Sequence, residues 1–339
     1  PLLYTLMKSC AIPDLRFEAL LSGMRRVALL HLPKLEPSRE LLDFLSTLAM
    51  HCFTNDYLYP ERDDEVALVA ELQETISLAI DRSESISLTN LLCLATYRPV
   101  HRLLPASAVT ALDTVPELRE RIFAEPLIER ELIPEIPSLG VITDITSIKV
   151  RKQYENNPYP RWVRTHVRAE PVSADEVFKQ SSLKFRSGCA LNLTNPEILI
   201  AGCGTGQHAI ESAATWRGSK LLAVDISLAS LSYAKRKTSE LNLENIDFLH
   251  ADILDLRSLN RDFDIVECVG VLHHMRDPHA GFKVLVDLVK PGGLIKVGLY
   301  SEIARSQITR SRRKASLLGA EPTDSQIREY RRVLLDSGG

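Results

Sequence analysis

The sequence lacks a strong excess of charge of either sign, because its 41 basic and 44 acidic residues leave a formal net charge of −3 over 339 residues. No overall attraction to nucleic acid or to an anionic membrane is therefore expected. The sequence also lacks an apolar run long enough to span a bilayer, and its N-terminus does not show the basic and then apolar order of a secretion signal. These absences predict a cytoplasmic protein that does not act at a membrane.

Closely spaced metal ligands are lacking as well. The histidines are not clustered at ligand spacing, and no C-x-x-C pair is present. We therefore predict that the protein has no metal site and that its cysteines are free thiols in a reducing compartment. The six cysteines are Cys10, Cys52, Cys93, Cys189, Cys203 and Cys268.

An initiating methionine is also lacking, because the sequence begins at Pro1. We expect the chain to be a piece of a longer protein. What is present is an ordinary globular composition, with 45% hydrophobic and 25% charged residues. A chain of this length and composition has room for two domains.

Apolar residues recur at helical spacing between about residues 15 and 132, as in Phe17, Leu20, Leu21 and Met24. No internal period is evident, so the pattern does not indicate a solenoid of repeats. We predict an all-α domain over residues 1–135 that acts as a scaffold, captures the substrate or binds a partner protein. The predicted helices include 65–79, 88–97, 102–112 and 117–132.

Residues 136–195 are predicted to link this domain to the next one. Two prolines and a glycine within 133–140 end the helical pattern, and the following segment contains Tyr154, Tyr159 and Trp162 together with two more prolines. This density of rings has two interpretations. The segment is either a lid held against a ligand or a proline-stiffened linker whose rings pack on the core.

A glycine-rich turn follows the four apolar residues at 198–201. Such an apolar run is typical of a parallel strand that is buried on both faces, and Gly202, Gly204 and Gly206 then allow the backbone to turn tightly against a ligand. The N–H groups of the helix that follows would face the same ligand. The pattern predicts a nucleotide-type pocket at residues 202–206.

Strands and helices alternate after residue 196, which predicts a parallel sheet with helices on both faces. Ligands bind to such sheets beyond the carboxyl ends of the strands. Candidate site residues follow four successive strands, so we expect them to surround one crevice. They are the glycine turn, Asp225, Asp252 and the stretch 267–274. The predicted strands are 197–201, 220–224, 246–250, 263–268 and 293–300.

Asp225 follows Gly206 by 19 residues (225 − 206). This distance is typical of an acid that accepts hydrogen bonds from a ribose diol, and the alternative is a helix cap. The glycine spacing then separates two nucleotide-binding families. A dinucleotide fold has the motif G-x-G-x-x-G, whereas the third glycine here comes one residue early.

From about residue 196 to residue 300, the chain resembles class I S-adenosylmethionine-dependent methyltransferases. The resemblance implies a Rossmann-like, doubly wound and mainly parallel sheet over residues 196–339, with S-adenosyl-L-methionine as the cofactor. It also implies two further strands after the fifth, where 301–335 has a helical pattern, so we expect this domain to be incomplete at its C-terminus. The matching segments are 201–206 (AGCGTG), 223–225 (AVD), 250–253 (HADI), 263–266 (FDIV), 271–275 (VLHHM) and 288–293 (LVKPGG).

By the same resemblance, the glycine turn supports the methionine part of the cofactor. Asp225 binds the ribose hydroxyls, and Asp252 binds the adenine amine. Ile226 and Ile253 flank the adenine ring, whose faces require apolar neighbours. The implied residues of the turn are Gly202, Cys203, Gly204, Thr205 and Gly206.

The chain departs from the family at one position. Many members have an acid two residues before the first glycine, whereas this chain has Ile200. Backbone carbonyls of the turn, or Glu267, are expected to accept hydrogen bonds from the amino group of the cofactor instead. The segments 153–162 and 298–305 further resemble bacterial methyltransferases that carry helical, often tetratricopeptide-type, repeats before the catalytic domain. That resemblance implies that Tyr154 and Asn157 belong to a lid over the cofactor.

Methyl transfer is an in-line displacement in which the cofactor carries the activated group, so the protein mainly aligns the reactants and excludes water. If the acceptor is a hydroxyl or a protonated amine, His273 or His274 is the candidate base, and the alternative is a structural residue of the pocket wall. The stretch 267–270 lacks the Asn/Asp-Pro-Pro-aromatic motif of methyltransferases that act on base amines. This difference argues against nucleic-acid bases as substrates.

We therefore predict methyl transfer to an oxygen or nitrogen nucleophile of a small molecule or a protein. An alternative from another class is a non-catalytic cofactor-binding adaptor or sensor whose helical domain binds a partner. A nicotinamide oxidoreductase is disfavoured by the glycine spacing.

Overall fold

The computed structural model describes residues 2–180, 193–317 and 323–336. Contacts divide the chain into two units, one formed by Pro1–Leu127 with Ser306–Gly339 and the other by Ile128–Arg305. We refer to them as the helical unit and the sheet unit. Cys189 lies outside the described residues, and the other five cysteines are free thiols, as predicted.

The regular elements alternate in type only in the sheet unit. None of the described helices combines the length and the apolar character needed to cross a membrane. The helices are α1 (Leu2–Ser9), α2 (Leu15–His31), α3 (Arg39–Thr54), α4 (Asp63–Asp81), α5 (Leu88–Ala95), α6 (Val100–Leu103), α7 (Pro116–Arg119), α8 (Glu125–Leu132), α9 (Ile145–Asn156), α10 (Ala174–Gln180), α11 (Gln207–Thr215), α12 (Leu228–Glu240), α13 (Pro278–Asp287), α14 (Ser306–Leu317) and α15 (Asp324–Asp336). The strands are β1 (Glu197–Ala201), β2 (Lys220–Asp225), β3 (Ile246–His250), β4 (Phe263–Val269) and β5 (Val289–Gly298).

The helical unit has its own core, built from apolar residues at helical spacing. Helix α3 illustrates how the sequence specifies it. The hydroxyl of Ser38 accepts a hydrogen bond from the Leu41 N–H at 3.2 Å, which caps the first turn. Every residue from Leu45 to Thr54 in the same helix is buried. The prediction of a helical N-terminal region is confirmed.

The predicted helix over residues 102–112 is wrong. Helix α6 ends at Leu103, and the chain continues as a 3₁₀ helix, Ala106–Thr114. Pro105 explains the break, because proline has no N–H and disfavours the helical conformation of the residue before it. The predicted helix over 117–132 corresponds to α7, a π-helical turn at Glu120–Ala124, and α8 in direct succession.

Helix α15 belongs to the helical unit through long-range ion pairs. The Nε atom of Arg331 donates to Glu18 at 2.9 Å, and Glu18 is only 3% exposed. The Nε atom of Arg328 donates to the carbonyl of Tyr57 at 3.1 Å and lies 3.6 Å from the carboxylate of Glu61. The sequence predicts boundaries at 135/136 and 195/196, whereas these contacts group residues 306–336 with the N-terminal helices.

The sheet unit contains five parallel strands in the order β3-β2-β1-β4-β5. Ile198 and Ile200 of β1 belong to the core on one face of the sheet, and Leu199 and Ala201 belong to the core on the other face. Both faces are therefore covered, which explains the continuous apolar run. The predicted Rossmann-like fold class is confirmed. Within the described residues, the chain after β5 forms helices and adds no strand to this sheet.

The predicted linker packs directly on this sheet. The N–H of Leu139 donates to the carbonyl of His250 at 2.9 Å, and the His250 N–H donates to the carbonyl of Pro137 at 2.9 Å. Ile136 lies in the core beside β1 and β2. This segment therefore extends the edge next to β3 and is part of the sheet unit.

Candidate functional site

The glycine turn between β1 and α11 has the close backbone approach that its sequence predicts. Gly202 and Gly206 have φ angles of +77° and +82°, a region that other residues adopt only with strain. A Cβ atom at Gly202 would lie 2.3 Å from a methyl carbon of Val271, and one at Gly206 would lie 2.5 Å from the Cβ of Ala234. Side chains are excluded from both positions, so the turn lies directly against its neighbours.

Asp225, the last residue of β2, holds this turn from the next strand. Its Oδ2 atom accepts a hydrogen bond from the Gly204 N–H at 2.7 Å, and its Oδ1 atom accepts one from the Ser227 N–H at 3.0 Å. The cap of α12 is Ser227, whose hydroxyl accepts from the Ser230 N–H at 3.1 Å. Burial raises the pKa of Asp225. Asp225 is therefore not itself the helix cap, and it lines the same cavity as the turn.

Asp252 and its neighbours form the next part of the cavity wall. Asp252 follows β3 and is 4% exposed, and its Oδ1 atom accepts from the Leu254 N–H at 3.0 Å. Ile253 and Ile226 also line the cavity, beside Asp252 and Asp225 respectively. Two strand ends thus each present a carboxylate followed by an isoleucine.

Each of the two interpretations of the aromatic segment holds for some of its rings. Tyr154 and Tyr159 line the cavity, whereas Trp162 is 8% exposed and packs in the core. The indole N–H of Trp162 donates to the carbonyl of Thr205 at 3.1 Å, and the Thr205 hydroxyl donates to the carbonyl of Pro160 at 2.5 Å. These bonds join the segment to the glycine turn and hold the tyrosines at the cavity wall.

Glu155 is a positioning residue that the sequence analysis missed. Its two carboxylate oxygens accept from the N–H groups of Leu228 at 2.7 Å and Ala229 at 3.1 Å. A negative charge at these first N–H groups of α12 is favourable. The contact ties α9, which carries Tyr154, to the helix that follows β2. No sequence signal marks this pairing, because the residues are 73 and 74 positions apart.

The two candidate histidines follow β4 and lie in a short 3₁₀ helix, Leu272–His274. His274 lines the cavity, and its ring centre is 6.3 Å from that of Tyr154. The His273 ring lies between His274 and Tyr300, with centre distances of 4.2 and 4.3 Å. The guanidinium carbon of Arg305 lies 3.8 Å from the centre of the Tyr300 ring.

The cavity has a volume of about 470 Å³, which lies within the range of small-molecule sites. It brings together most of the predicted site residues. Those in its wall are Gly202, Cys203, Gly204, Thr205, Asp225, Ile226, Asp252, Ile253, Tyr154 and His274. The remaining predicted residues are described but lie outside the wall, and these are Gly206, Asn157, Glu267 and His273.

Comparison with known proteins places this site in a family. The family described as "Methyltransferase domain" matches residues 198–293, which contain the glycine turn and both strand-end carboxylates. The sheet unit contains a class I methyltransferase domain. The cofactor of this family is S-adenosyl-L-methionine.

The relatives match only part of the chain. An uncharacterised protein of Synechococcus sp. is 34% identical over 142 residues, which are 42% of this chain and 34% of that protein. A ubiquinone biosynthesis O-methyltransferase of Acinetobacter baumannii is 28% identical over 147 residues, 43% of this chain and 59% of the relative. The solved structure of PKMT2 from Rickettsia typhi in complex with AdoHcy is 26% identical, with a TM-score of 0.35, and the match covers 43% of this chain and 28% of that one. The chain thus spans about a third and about three-fifths of the two curated relatives.

The wall of the methyltransferase domain fits the nucleoside part of the cofactor. The absent Cβ at Gly202 leaves room for Val271, which also lines the cavity. Asp225 and Asp252 offer acceptors for hydroxyl and amine hydrogens, and Ile226 and Ile253 offer apolar surface for a planar ring.

A buried charge network lies behind the first turn of α11. Glu267 is 3% exposed, and its Oε2 atom lies 2.8 Å from both the Nε2 atom of His208 and the Nζ atom of Lys296. Its Oε1 atom accepts from the Ser212 hydroxyl at 3.1 Å. Burial alone would raise the pKa of Glu267, but the hydrogen bonds and charges of His208 and Lys296 outweigh it and lower the pKa to about 2. Glu267 is therefore ionised and faces His208, which lines the cavity.

Proposed function

We propose that the protein binds S-adenosyl-L-methionine in this cavity and transfers a methyl group to an oxygen or nitrogen nucleophile of a small molecule or a protein. The observation that carries the proposal is the convergence of the glycine turn, Asp225 and Asp252 on one cavity wall. The ends of three successive strands supply the backbone of the glycine turn, a hydrogen-bond acceptor for the ribose (Asp225) and one for the adenine (Asp252), in the order in which the family uses them. When bound, the cofactor supplies a methyl group activated by a sulfonium.

The residues of this chain then have separate tasks. Asp225 accepts hydrogen bonds from the ribose hydroxyls, and Asp252 accepts one from the adenine amine. Ile226 and Ile253 pack on the ring faces. Tyr154 closes the wall beside His274 and keeps water from the reacting atoms, as a displacement of this kind requires.

His274 is the proposed base where the acceptor must lose a proton. It lines the cavity, and an imidazole accepts a proton near neutral pH. The acceptor hydroxyl or ammonium gives its proton to a ring nitrogen of His274, which returns the proton to solvent. The relative from Acinetobacter baumannii is named as an O-methyltransferase, which supports oxygen as the acceptor atom.

The helical unit is proposed to select the substrate or to bind a partner protein, and the protein is proposed to act in the cytoplasm. The overall charge of −3 gives no general attraction to nucleic acid, which supports a small molecule or a protein as the acceptor. Arg305 beside Tyr300 would favour an acceptor that carries negative charge.

A labelled-methyl assay tests the proposal. The protein is incubated with cell extract and S-adenosyl-L-methionine labelled in the methyl group, and the label is followed into small-molecule and protein fractions. We expect label in one fraction, and His274→Gln should reduce the rate about 100-fold or more if it acts as a base. His279→Gln, a change at an exposed histidine of α13, is the matched control and should retain the wild-type rate. Binding of the cofactor without transfer of label to any fraction would instead support the alternative, a non-catalytic cofactor-binding adaptor or sensor.

A further inference from the structure

The charged residues of the cavity wall are confined to one part of it. The carboxylates are Glu211, Asp225 and Asp252, and they come from the elements that follow or end β1, β2 and β3. Helix α9 and the segments after β4 and β5 supply another part. Among the described residues, that part contributes no lysine, arginine or carboxylate to the wall. We call it the aromatic wall and define it as Val150, Tyr154, Val269, His274, Met275 and Tyr300.

The aromatic wall offers apolar surface to a ligand. The rings of Tyr154 and His274 meet edge to face, with their centres 6.3 Å apart and an interplanar angle of 79°. His273 connects His274 to Tyr300, because its ring lies 4.2 and 4.3 Å from theirs. Tyr300 is 53% exposed and Val269 is 44% exposed. A planar apolar ligand would remove this surface from water, and an aromatic ligand would add the attraction between rings.

The charges around the aromatic wall disfavour an acceptor that arrives as an ion. A carboxylate would lose its water beside a wall to which the described residues contribute no lysine or arginine, and a buried carboxylate without a partner is costly. An ammonium group meets a different obstacle. The guanidinium carbon of Arg305 already lies 3.8 Å from the centre of the Tyr300 ring, and its positive charge opposes a second cation at that ring. A neutral ring incurs neither cost.

We infer that the methyl acceptor is a phenol, whose ring packs on the aromatic wall and whose hydroxyl reaches His274. A phenol enters without charge, because its pKa is about 10. It gains negative charge only as it reacts, and the charge of Arg305 then favours it. Tyr300 is the residue that determines this specificity, because its ring contacts the acceptor. The inference rests on the proposed function, since it names the acceptor class of the same site.

The reaction balances with the groups already named. The phenolic oxygen forms a bond to the methyl carbon while the bond from that carbon to sulfur breaks. The electron pair of the broken bond stays on sulfur, which loses its positive charge. The phenolic proton passes to a ring nitrogen of His274 and from there to solvent.

Probes that share one ring system and differ in charge test the acceptor class. They are 2-naphthol, 2-naphthoate and 2-naphthylmethylamine, which is an ammonium ion at neutral pH. Each is titrated by calorimetry into the protein saturated with S-adenosylhomocysteine, and each is then assayed for label from S-adenosyl-L-methionine. We expect 2-naphthol to bind at least about tenfold more tightly than the two ions, because it loses no charge solvation, and to take up label. A short tyrosine-containing peptide joins the assay, since label in it would identify a protein side chain as the phenol.

Variants of Tyr300 test its role in specificity. Tyr300→Ala should raise the KM for the labelled phenol about two- to tenfold, which is the value of one aromatic pair, and should leave the Kd for S-adenosylhomocysteine unchanged. Tyr300→Phe keeps the ring and should restore the wild-type KM. Phe282 is 40% exposed on α13 and lies outside the cavity wall, so Phe282→Ala is the matched control and should have the wild-type KM.

The outcomes separate the inference from the proposed function. Tighter binding of 2-naphthoate or 2-naphthylmethylamine than of 2-naphthol would overturn the inference, and so would an unchanged KM in Tyr300→Ala. A wild-type protein that binds S-adenosylhomocysteine but labels neither 2-naphthol nor the peptide would overturn it as well, and would leave the cofactor site standing. A folded wild-type protein that does not bind S-adenosylhomocysteine would remove the proposed function, and the inference with it.

Discussion

The bond between Thr205 and Pro160 predicts how firmly the aromatic segment is held against the glycine turn. Thr205 is fully buried, and its hydroxyl donates to the Pro160 carbonyl at 2.5 Å. Thr205→Val keeps the shape of the side chain and removes only this donor. The Pro160 carbonyl still accepts from the Trp162 N–H at 3.0 Å, so it is not left without a partner. The expected loss is therefore the net value of one hydrogen bond, about 0.5–1.5 kcal/mol, and not the larger cost of an unsatisfied buried group.

Native-state hydrogen exchange measures this loss locally. If the segment opens from the turn as a unit, the Trp162 and Gly206 amides should exchange about two- to tenfold faster in Thr205→Val, which is the same free energy expressed as a rate ratio. Thr238→Val is the matched control. Thr238 is also buried, but its hydroxyl donates to the Ala234 carbonyl within α12 at 2.9 Å. Exchange at the two amides that is unchanged in Thr205→Val, or equally accelerated in Thr238→Val, would refute the reasoning.

Three further predictions concern stability. Gly206→Ala should destabilise the sheet unit by about 2–4 kcal/mol, because the added Cβ is strained in the left-handed conformation and would lie 2.5 Å from the Cβ of Ala234. Both tryptophans lie in the sheet unit, so tryptophan fluorescence during urea unfolding measures this loss. The pKa of Glu267 falls from 4.5 to about 2 on folding. Its contribution to the free energy of unfolding, on the order of 3 kcal/mol, is therefore present above pH 4.5 and is lost as the pH falls through about 2. Glu267→Gln should make the free energy of unfolding less dependent on pH in this range. Arg331→Ala leaves the buried carboxylate of Glu18 without its ion pair, and should destabilise the helical unit by about 1–3 kcal/mol in thermal circular dichroism.

Matched variants separate these effects from general damage. Gly23→Ala has open space around the added Cβ within α2, and should be neutral or slightly stabilising. Arg332→Ala removes the pair with the exposed Glu329 and should leave the melting curve unchanged. A wild-type unfolding curve for Gly206→Ala, an unaltered acid profile for Glu267→Gln, or equal losses in Arg331→Ala and Arg332→Ala would contradict the respective account.

The strands and their carboxyl ends could be predicted because local signals specify them. The run that begins at Ile198 is apolar on both faces, and the alternation of strand and helix then determines that Asp225 and Asp252 follow neighbouring strands. The alternation of side chains along a strand also predicts which face of the sheet carries Glu267. It does not predict whether the side chain extends into the cavity. The carboxylate of Glu267 is held by His208 and Lys296 outside the cavity wall.

Features that depend on distant partners could not be predicted. Glu155 accepts hydrogen bonds from the first N–H groups of α12, 73 and 74 residues later, and Arg331 joins α15 to Glu18 across 313 residues. Neither pairing has a periodicity or a spacing that marks it. The helix predicted over 102–112 failed for a different reason, because the apolar pattern continued through Pro105 although the backbone geometry of proline ended the helix. The roles of Asn157 and His273 stay predictions.

Calorimetric titration of S-adenosylhomocysteine tests most directly whether the cavity at the glycine turn is a cofactor site. We predict one binding site per chain, and a Kd at least about tenfold higher for Asp225→Ala, because a carboxylate that accepts from the ribose hydroxyls is removed. Asp247→Ala, a change at an exposed acid of β3 outside the cavity wall, should bind as the wild type does. A folded wild-type protein that gives no binding heat at any temperature tried, or an Asp225→Ala variant with undiminished affinity, would contradict the account.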